Sequence, residues 1–448
     1  MEFLEIFNLF LILFVVFLSG IFGWTRLKQN NVSCILYGYY LVIFGLAQLF
    51  AFVFNIEFAF PIEIKLKANI LNIIVLFFIF LGEKLLFQKI KKTDKANEEK
   101  TIRIIKNNKL NLSILMWLTL ILSMCGFVFL ILGKGIPLEY FFSAKTRTVY
   151  TVAVNWFFVF SGSSLLLFVM ISNYISLIKK NWLVLGIGAL ITLLAVSLAG
   201  TRAYVFFIIG PFLYYYISFN KINTKLKKIM FASSFIILFF IFFTTLHLWR
   251  WQEERTPQVF LEQLLDKRTY FFLLENPNSE FNYRLRIFQA VTLFPRENDW
   301  LYGNTYKNIL LFWLPSGFSE KNKVDTMYKF ADAIDGTTSA YERRRSIQPT
   351  LTGDFYINFG YLFWLPALIW GMGLSFVYIK ARNNIFWNLL AGSSLVYFLA
   401  LSLRGSIYLA FFQIITFTIF LICIFFILYI PRLNYYNKLK NNEENKEK

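Results

Sequence analysis

The stretch FLEIFNLFLILFVVFLSGIFG, residues 3–23, is apolar for nearly its whole length and long enough to cross a bilayer as a helix. Glu2 and Glu5 stand at its start, whereas a signal peptide begins with basic residues, so we expect the stretch to stay in the protein as a helix. The whole chain of 448 residues is also apolar in composition: 57% of its residues are hydrophobic, 20% are aromatic and 16% are charged. This composition excludes an ordinary soluble domain.

Further runs of the same kind follow along the chain. With the first, they lie near 3–23, 33–55, 67–82, 112–133, 151–173, 182–200, 202–219, 229–248, 356–379, 385–403 and 405–430. Each approaches the roughly 20 residues that a spanning helix needs. The sequence therefore predicts an all-α, polytopic integral membrane protein with about eleven transmembrane helices.

The basic residues predict the orientation. If the N-terminus is outside, the cytoplasmic segments hold 24 Lys and Arg, nine of them in the 83–110 loop, and the short outer loops hold seven. Short cytoplasmic loops carry the excess of basic residues, so this count favours an outer N-terminus and a cytoplasmic C-terminus. Most of the net charge of +19 then faces the cytoplasmic leaflet. That charge indicates contact with the lipid bilayer rather than with nucleic acid.

One long polar segment, residues 249–355, interrupts the series and divides the chain into four parts. Transmembrane helices 1–8 occupy residues 1–248, the large extracytoplasmic loop 249–355, helices 9–11 residues 356–430, and a basic cytoplasmic tail 431–448. The loop holds 14 basic and 14 acidic residues. Loops of this length without secondary structure are uncommon, so we expect short helices here. Three segments have a helical pattern: 258–275, 304–314 and 324–334, the last ending at Gly336.

The cysteines and acidic residues exclude some kinds of site. Cys34, Cys125 and Cys423 lie in apolar runs, without a CxxC pair or a neighbouring histidine, which argues against disulfides and against a zinc site. We expect no metal and no cofactor. The apolar runs also lack buried acidic residues of the kind that couple ions to transport.

Arginines at the predicted outer turns are candidates for binding phosphate. Arg202 is expected at the start of helix seven and Arg404 at the turn between helices ten and eleven. The N-terminus of a helix favours anions, and a guanidinium group binds phosphate in a bidentate manner. The alternative is that each arginine reaches to the interface and anchors its helix. The loop adds Arg284, Arg286, Arg296 and residues 343–345.

The end of the loop carries the sequence GDFYINFG, residues 353–360. This string resembles the G-[ED]-x-Y-x-N-F-G signature of the Wzy-type oligosaccharide repeat-unit polymerases of O-antigen and capsule. Tyr356 and Asn358 are its Tyr and Asn. Residues 200–202, Gly-Thr-Arg, resemble the (S/G)-T-R turn of the same family.

A third stretch is similar in part. Residues 302–306, YGNTY, followed by Leu314-Pro315, resemble the family's YG-x-(S/T)-Y…(I/L)-P-R region. The arginine after that proline is Ser316 here, so the 315–321 stretch departs from the family's pattern. Lys321 aligns with a lysine that often follows.

The resemblance implies a glycosyltransferase of the bacterial cytoplasmic (inner) membrane that acts on polyprenyl-diphosphate-linked oligosaccharide. A hydroxyl of one lipid-linked repeat unit would attack the anomeric carbon of the growing chain, with inversion and without a metal. The reaction needs a cationic clamp for the departing diphosphate and a base for the hydroxyl. Arg202 and Arg404 are the clamp candidates, supported by Arg284 or Arg286. A chain-length regulator and a flippase are the possible protein partners.

The base has two main candidates. Asp354 lies in the family-like string, and it is equally suited to serve as the N-cap of helix nine. His247, the single histidine, is predicted at the outer end of helix eight, where it is a base or an interfacial residue. Asp332, Asp335 and Glu342 are lesser candidates.

The sequence is also compatible with three other functions. A lipid-linked oligosaccharide flippase or another transporter is one, although no internal repeat is visible. An O-antigen-ligase-like transferase would use the same chemistry. A structural partner of the polysaccharide machinery without activity is the third.

Overall fold

The structure is a computed structural model. It describes residues 2–54, 56, 60–87, 109–134, 156–199, 205–219, 256–266, 280–295, 297–310, 326–336, 340, 346–405 and 407–424. Within these residues the regular elements are helices, and no strand is present.

We number the helices in chain order. They are α1 Glu2–Lys28, α2 Cys34–Val53, α3 Ile62–Phe87, α4 Lys109–Lys134, α5 Trp156–Lys179, α6 Trp182–Ala199, α7 Phe206–Phe219, α8 Pro257–Leu265, α9 Arg284–Leu293, α10 Asn304–Leu310, α11 Thr326–Asp335, α12 Thr350–Phe359, α13 Trp364–Asn383, α14 Ile385–Leu403 and α15 Ile407–Ile424. Short 3₁₀ turns precede α9 at Glu280–Tyr283 and follow α12 at Gly360–Leu362.

Six of these helices are long and apolar enough to cross a membrane: α1, α2, α3, α13, α14 and α15. The apolar helices α4 to α7 lie at the positions of four further predicted runs. An all-helical, multi-pass membrane protein is thus confirmed. The number eleven and the orientation stay predictions, and the predicted run 229–248 lies outside the described residues.

Helices α3 and α13 pack closely through two glycines. A Cβ on Gly82 would lie 2.1 Å from the backbone oxygen of Leu368, and a Cβ on Gly371 would lie 2.0 Å from the backbone oxygen of Ile79. No side chain fits at either position, so the two backbones can approach only because both residues are glycine. Small residues allow this kind of close packing between membrane helices.

The predicted ninth run, 356–379, is wrong as one helix. Gly360 has φ +55 and ψ −128, a conformation open only to glycine, and it ends α12 before α13 begins. The ring of Trp300 lies 2.7 Å from where a Cβ of Gly360 would stand. The predicted boundary between 355 and 356 therefore falls inside α12.

The three predicted loop helices are present in part. α8 begins after Thr256, whose hydroxyl oxygen accepts a hydrogen bond from the Val259 N–H, and it ends at Leu265. Residues 267–275 of the predicted segment lie outside the described residues. α10 is described from Asn304 to Leu310 of the predicted 304–314. α11 ends at Asp335, followed by Gly336 at φ +64, as predicted. α9, between the first two of these segments, was not predicted.

A buried ion pair corrects the expectation that the runs lack buried acidic residues. α3 extends beyond the predicted run 67–82 and includes Glu83, which is 0% exposed. Glu83 Oε2 lies 2.6 Å from Arg26 Nε of α1 and accepts a hydrogen bond of 2.8 Å from the Tyr37 hydroxyl of α2. The cluster of Arg26, Glu83 and Tyr37 thus joins three helices at the ends predicted to face the cytoplasm.

Candidate functional site

The candidate site is built around α12, whose sequence is TLTGDFYINF and whose side chains are almost all buried. Residues four apart share a face of a helix, so Thr350, Asp354 and Asn358 lie on one side. Tyr356 is two residues from Asp354, about 200° around the helix. The two functional faces of α12 therefore point in nearly opposite directions.

Asp354 belongs to a hydrogen-bond network rather than to a helix cap. Its Oδ1 accepts bonds of 3.0 Å from the Tyr306 hydroxyl of α10 and of 3.0 Å from Asn358 Nδ2. The expectation that Asp354 is an N-cap is wrong, because the helix begins at Thr350 and Pro349 takes the N-cap position. Asp354 is only 1% exposed. Tyr306, which is half-buried, thereby joins α10 to this carboxylate.

Asn358 connects α12 to two helices of the 249–355 segment. Its Nδ2 donates to Thr326 Oγ1 of α11 at 3.0 Å, and its Oδ1 accepts a bond from the Thr305 hydroxyl of α10. Asp354 thereby accepts hydrogen bonds from two donors, Tyr306 on α10 and Asn358 on α12, and Asn358 is itself held by α10 and α11. Such a network fixes the orientation of the carboxylate.

Backbone bonds reinforce the same contact. The Leu301 N–H donates to the Ile357 oxygen at 3.0 Å, and the Gly303 N–H donates to the Asn358 oxygen at 2.9 Å. The rings of Tyr306 and Phe359 lie 5.0 Å apart. The stretch 301–306 and the stretch 353–360, which both carry the family-like motifs, therefore form one unit.

Arg404 lies at the other end of α12. Its backbone oxygen accepts a bond of 3.0 Å from the Thr350 N–H, one helical turn before Asp354. Its Nε and Nη2 donate to the Tyr283 hydroxyl at 3.0 and 2.7 Å, and that hydroxyl donates to Gln348 Oε1 at 2.8 Å.

Arg404 lies in the predicted turn, between α14 and α15. It is the C-cap of α14, at the end of the helix whose dipole is negative. Gly405 turns the chain there with φ +89, and a Cβ on it would lie 2.6 Å from the Thr350 N. Phosphate binding at Arg404 would therefore depend on its guanidinium group, without support from the dipole of α14.

Arg284 and Arg286 have local partners. Arg284 is 3% exposed, and its Nη1 donates to the Ala47 backbone oxygen of α2. Burial lowers the pKa of Arg284 to about 10, so this guanidinium is still charged at neutral pH. Arg286 Nη1 donates to Gln289 Oε1 at 2.9 Å. Arg284 thus connects α9, in the 249–355 segment, to the apolar helix α2, which is a structural contact.

Tyr356 faces away from Asp354. Its hydroxyl donates to the Phe294 backbone oxygen at 3.0 Å and accepts a bond of 3.0 Å from Lys67 Nζ of α3. On the same side, the Thr352 hydroxyl lies 2.8 Å from the Tyr40 hydroxyl of α2. The structure therefore brings Asp354 and Asn358 together and places Tyr356 on a different surface.

Several predicted residues lie outside the described part of the chain. They are Arg202, His247, Arg296, Lys321, Glu342 and the run 343–345. Of the lesser base candidates, Asp332 accepts a bond of 2.7 Å from the Ala340 N–H, and Asp335 is the last residue of α11.

Sequence reasoning missed Lys67, Tyr283 and Tyr306 as site residues. Lys67 had a visible signal, since it is a basic residue one to two turns inside an apolar helix at the predicted outer face. Tyr306 stood in a family-like stretch without a role of its own. Within the described residues, no three His, Cys, Asp or Glu side chains are grouped so that they could hold a metal ion.

Comparison of the chain with protein-family models, with curated proteins and with solved structures finds no match.

Proposed function

We propose that this protein polymerises polyprenyl-diphosphate-linked oligosaccharide repeat units into surface polysaccharide, on the outer face of a bacterial cytoplasmic membrane. The observation that carries the proposal is the contact between the two motif-bearing stretches. Tyr306 of the YGNTY stretch donates to Asp354 of the GDFYINFG string, although 48 residues separate them. Two stretches that resemble one family on separate grounds thus meet at a single carboxylate.

In this proposal Asp354 is the base. The acceptor hydroxyl loses its proton as its oxygen bonds to the anomeric carbon, and the bond from that carbon to the lipid diphosphate breaks. Because Asp354 is 1% exposed, the proton passes through the Tyr306 hydroxyl, which gives its own proton to Oδ1. General-base assistance of this kind contributes about 10²–10⁴-fold to a rate.

Arg404 is the proposed clamp for the departing diphosphate. It is one turn of α12 from Asp354 through its contact with Thr350, and its guanidinium is half-buried beside Tyr283. A diphosphate leaves as an anion, and donors already in position stabilise such charge as it develops. Arg202 is the second proposed clamp residue.

Reconstitution tests the proposal. Full-length protein in liposomes is given lipid-linked repeat units, and the products are separated by length. Wild type is expected to form chains, and Asp354→Asn, which keeps the hydrogen-bond acceptor, is expected to form about 10²-fold less. The control is Asp299→Asn, at an exposed carboxylate before Trp300, which should match wild type. Chains of normal length from Asp354→Asn would exclude it as the base.

One alternative has an observation in its favour. The buried pair of Arg26 and Glu83 is the kind of ionisable group that transporters place between helices, as a flippase would. A flippase would move lipid-linked units across the liposome membrane without joining them. An O-antigen-ligase-like transferase would join finished chains to a different acceptor. Identifying the acceptor used in the reconstituted reaction therefore distinguishes a ligase from a polymerase.

A further inference from the structure

Lys67 is a cation inside a membrane helix, and its contacts in the described part of the chain include no carboxylate. It lies in α3 near the end predicted to face outward, and it is half-buried. Its Nζ donates to the Tyr356 hydroxyl at 3.0 Å and lies 5.3 Å from the centre of that ring. Among the residues that the structure describes, no carboxylate pairs with it. Ionisable groups in membrane helices are costly and generally have a functional partner.

The hydrogen bonds of Tyr356 orient this ammonium group. The Tyr356 proton is directed at the Phe294 oxygen, so the hydroxyl oxygen is left to accept from Lys67. An ammonium group has three donors, and Tyr356 takes one of them. The other two have no acceptor in the described part of the chain. A phosphate oxygen has the charge and the acceptor capacity that these donors require.

The reaction proposed above needs two diphosphate sites at once, because donor and acceptor are both lipid-linked. The donor's diphosphate is bonded to the reacting anomeric carbon, so it must lie beside the base. The acceptor's diphosphate is separated from the attacking hydroxyl by at least one sugar residue. It must therefore lie away from the base, near the membrane.

The two faces of α12 match these two demands. Asp354 faces the external helices α10 and α11, whereas Tyr356 faces α3 and the end of α9. We propose that Lys67, held in place by Tyr356, binds the diphosphate of the acceptor lipid. This inference rests on the proposed function and names the second substrate site that it requires.

Binding stoichiometry tests the inference. Full-length protein in nanodiscs of phosphatidylcholine is titrated with polyprenyl diphosphate, and the bound equivalents are counted. Wild type is expected to bind two, and Lys67→Met one, with the second site weakened about tenfold to a hundredfold. Lys67→Arg should keep two. Lys65→Met removes the same charge from the same helix two residues away and should also keep two.

A second variant covers the case in which Lys67→Met does not fold. Tyr356→Phe keeps the ring and removes the hydroxyl that holds the ammonium, so it should weaken the second site about two- to tenfold. Unchanged binding in Tyr356→Phe would leave the ammonium group without its proposed support and would contradict the inference.

The remaining outcomes separate the two proposals. Two equivalents bound by Lys67→Met, with chains still formed by wild type, would overturn the inference and leave the polymerase intact. If wild type binds only one equivalent, the inference is likewise overturned and the polymerase proposal is unaffected. No binding by wild type would overturn both. A phospholipid headgroup presents the same phosphate oxygens; if Lys67→Met keeps two equivalents but loses stability only in phosphatidylglycerol discs, Lys67 is a lipid anchor.

Discussion

Replacing Arg26 by Met while Glu83 stays in place should destabilise the protein by about 3–5 kcal/mol, because one charge of a buried pair loses its partner. The structure gives the reasons for a value in this range. Glu83 is 0% exposed, and the distance from its Oε2 to Arg26 Nε is 2.6 Å. After the substitution, the Glu83 carboxylate keeps the hydrogen bond of 2.8 Å from the Tyr37 hydroxyl. One neutral hydroxyl does not compensate a buried anion.

The double variant Arg26→Met with Glu83→Met gives the complementary result. Apolar side chains of similar volume in place of a buried ion pair are often neutral or stabilising. The Tyr37 hydroxyl then loses its acceptor, at a cost of about 1–3 kcal/mol. The double variant should therefore be more stable than Arg26→Met alone, although both charges are gone.

The assay is the temperature at which half of the purified protein in detergent stops being monodisperse. Arg26→Met should lower that temperature by an amount on the order of 5 °C. Lys84→Met is the matched control, since Lys84 is the exposed neighbour of Glu83 and should change stability by less than about 0.5 kcal/mol. A value for Arg26→Met equal to that of Lys84→Met, or a double variant no better than the single one, would refute the reasoning. The double variant should also still polymerise, whereas a transporter that uses the pair would lose its activity.

The remaining predictions concern the site and its supports. Arg404→Ala should lower the rate of chain formation about tenfold to a hundredfold. Arg404→Lys should keep only part of the wild-type rate, since a lysine cannot bind phosphate in a bidentate manner. Equal rates for both variants and wild type would show that Arg404 does not bind the diphosphate. Tyr306→Phe should slow polymerisation and shift the pH profile of the rate, with the protein level unchanged. An unaltered pH profile would show that the Tyr306–Asp354 hydrogen bond has a structural role only. Gly371→Val should abolish the close packing of α3 on α13 and lower the amount of folded protein in the membrane, measured by fluorescence-detected gel filtration, whereas Gly373→Val, with no atom within 4 Å of a Cβ, should not.

Most of the helices could be predicted because hydrophobic length is a local property of the sequence. The ends of the helices depend on contacts that are not local. The break after α12 requires the backbone conformation of Gly360, and the ring of Trp300, sixty residues earlier in the chain, occupies the space where a Cβ would stand. Glu83 was assigned to a loop because it is charged, and only its pairing with Arg26 on another helix explains its burial.

The site was predicted in its parts but not in its arrangement. The resemblance selected Asp354 and Asn358, and spacing along α12 explains why these two residues meet. Nothing in the sequence reports that Tyr306 reaches Asp354, since the bond joins two separate segments of the long loop. Lys67 entered the sequence argument only as one of the seven outer charges, because its significance comes from the orientation of Tyr356 across the bundle.

The size distribution of surface glycan in cells that lack this gene tests the central claim most directly. The account predicts that single repeat units still reach the surface while long chains disappear, and that a plasmid copy of the wild type restores the long chains where the Asp354→Asn variant does not. Loss of all surface glycan, with lipid-linked units trapped inside the cell, would contradict it and would identify a flippase.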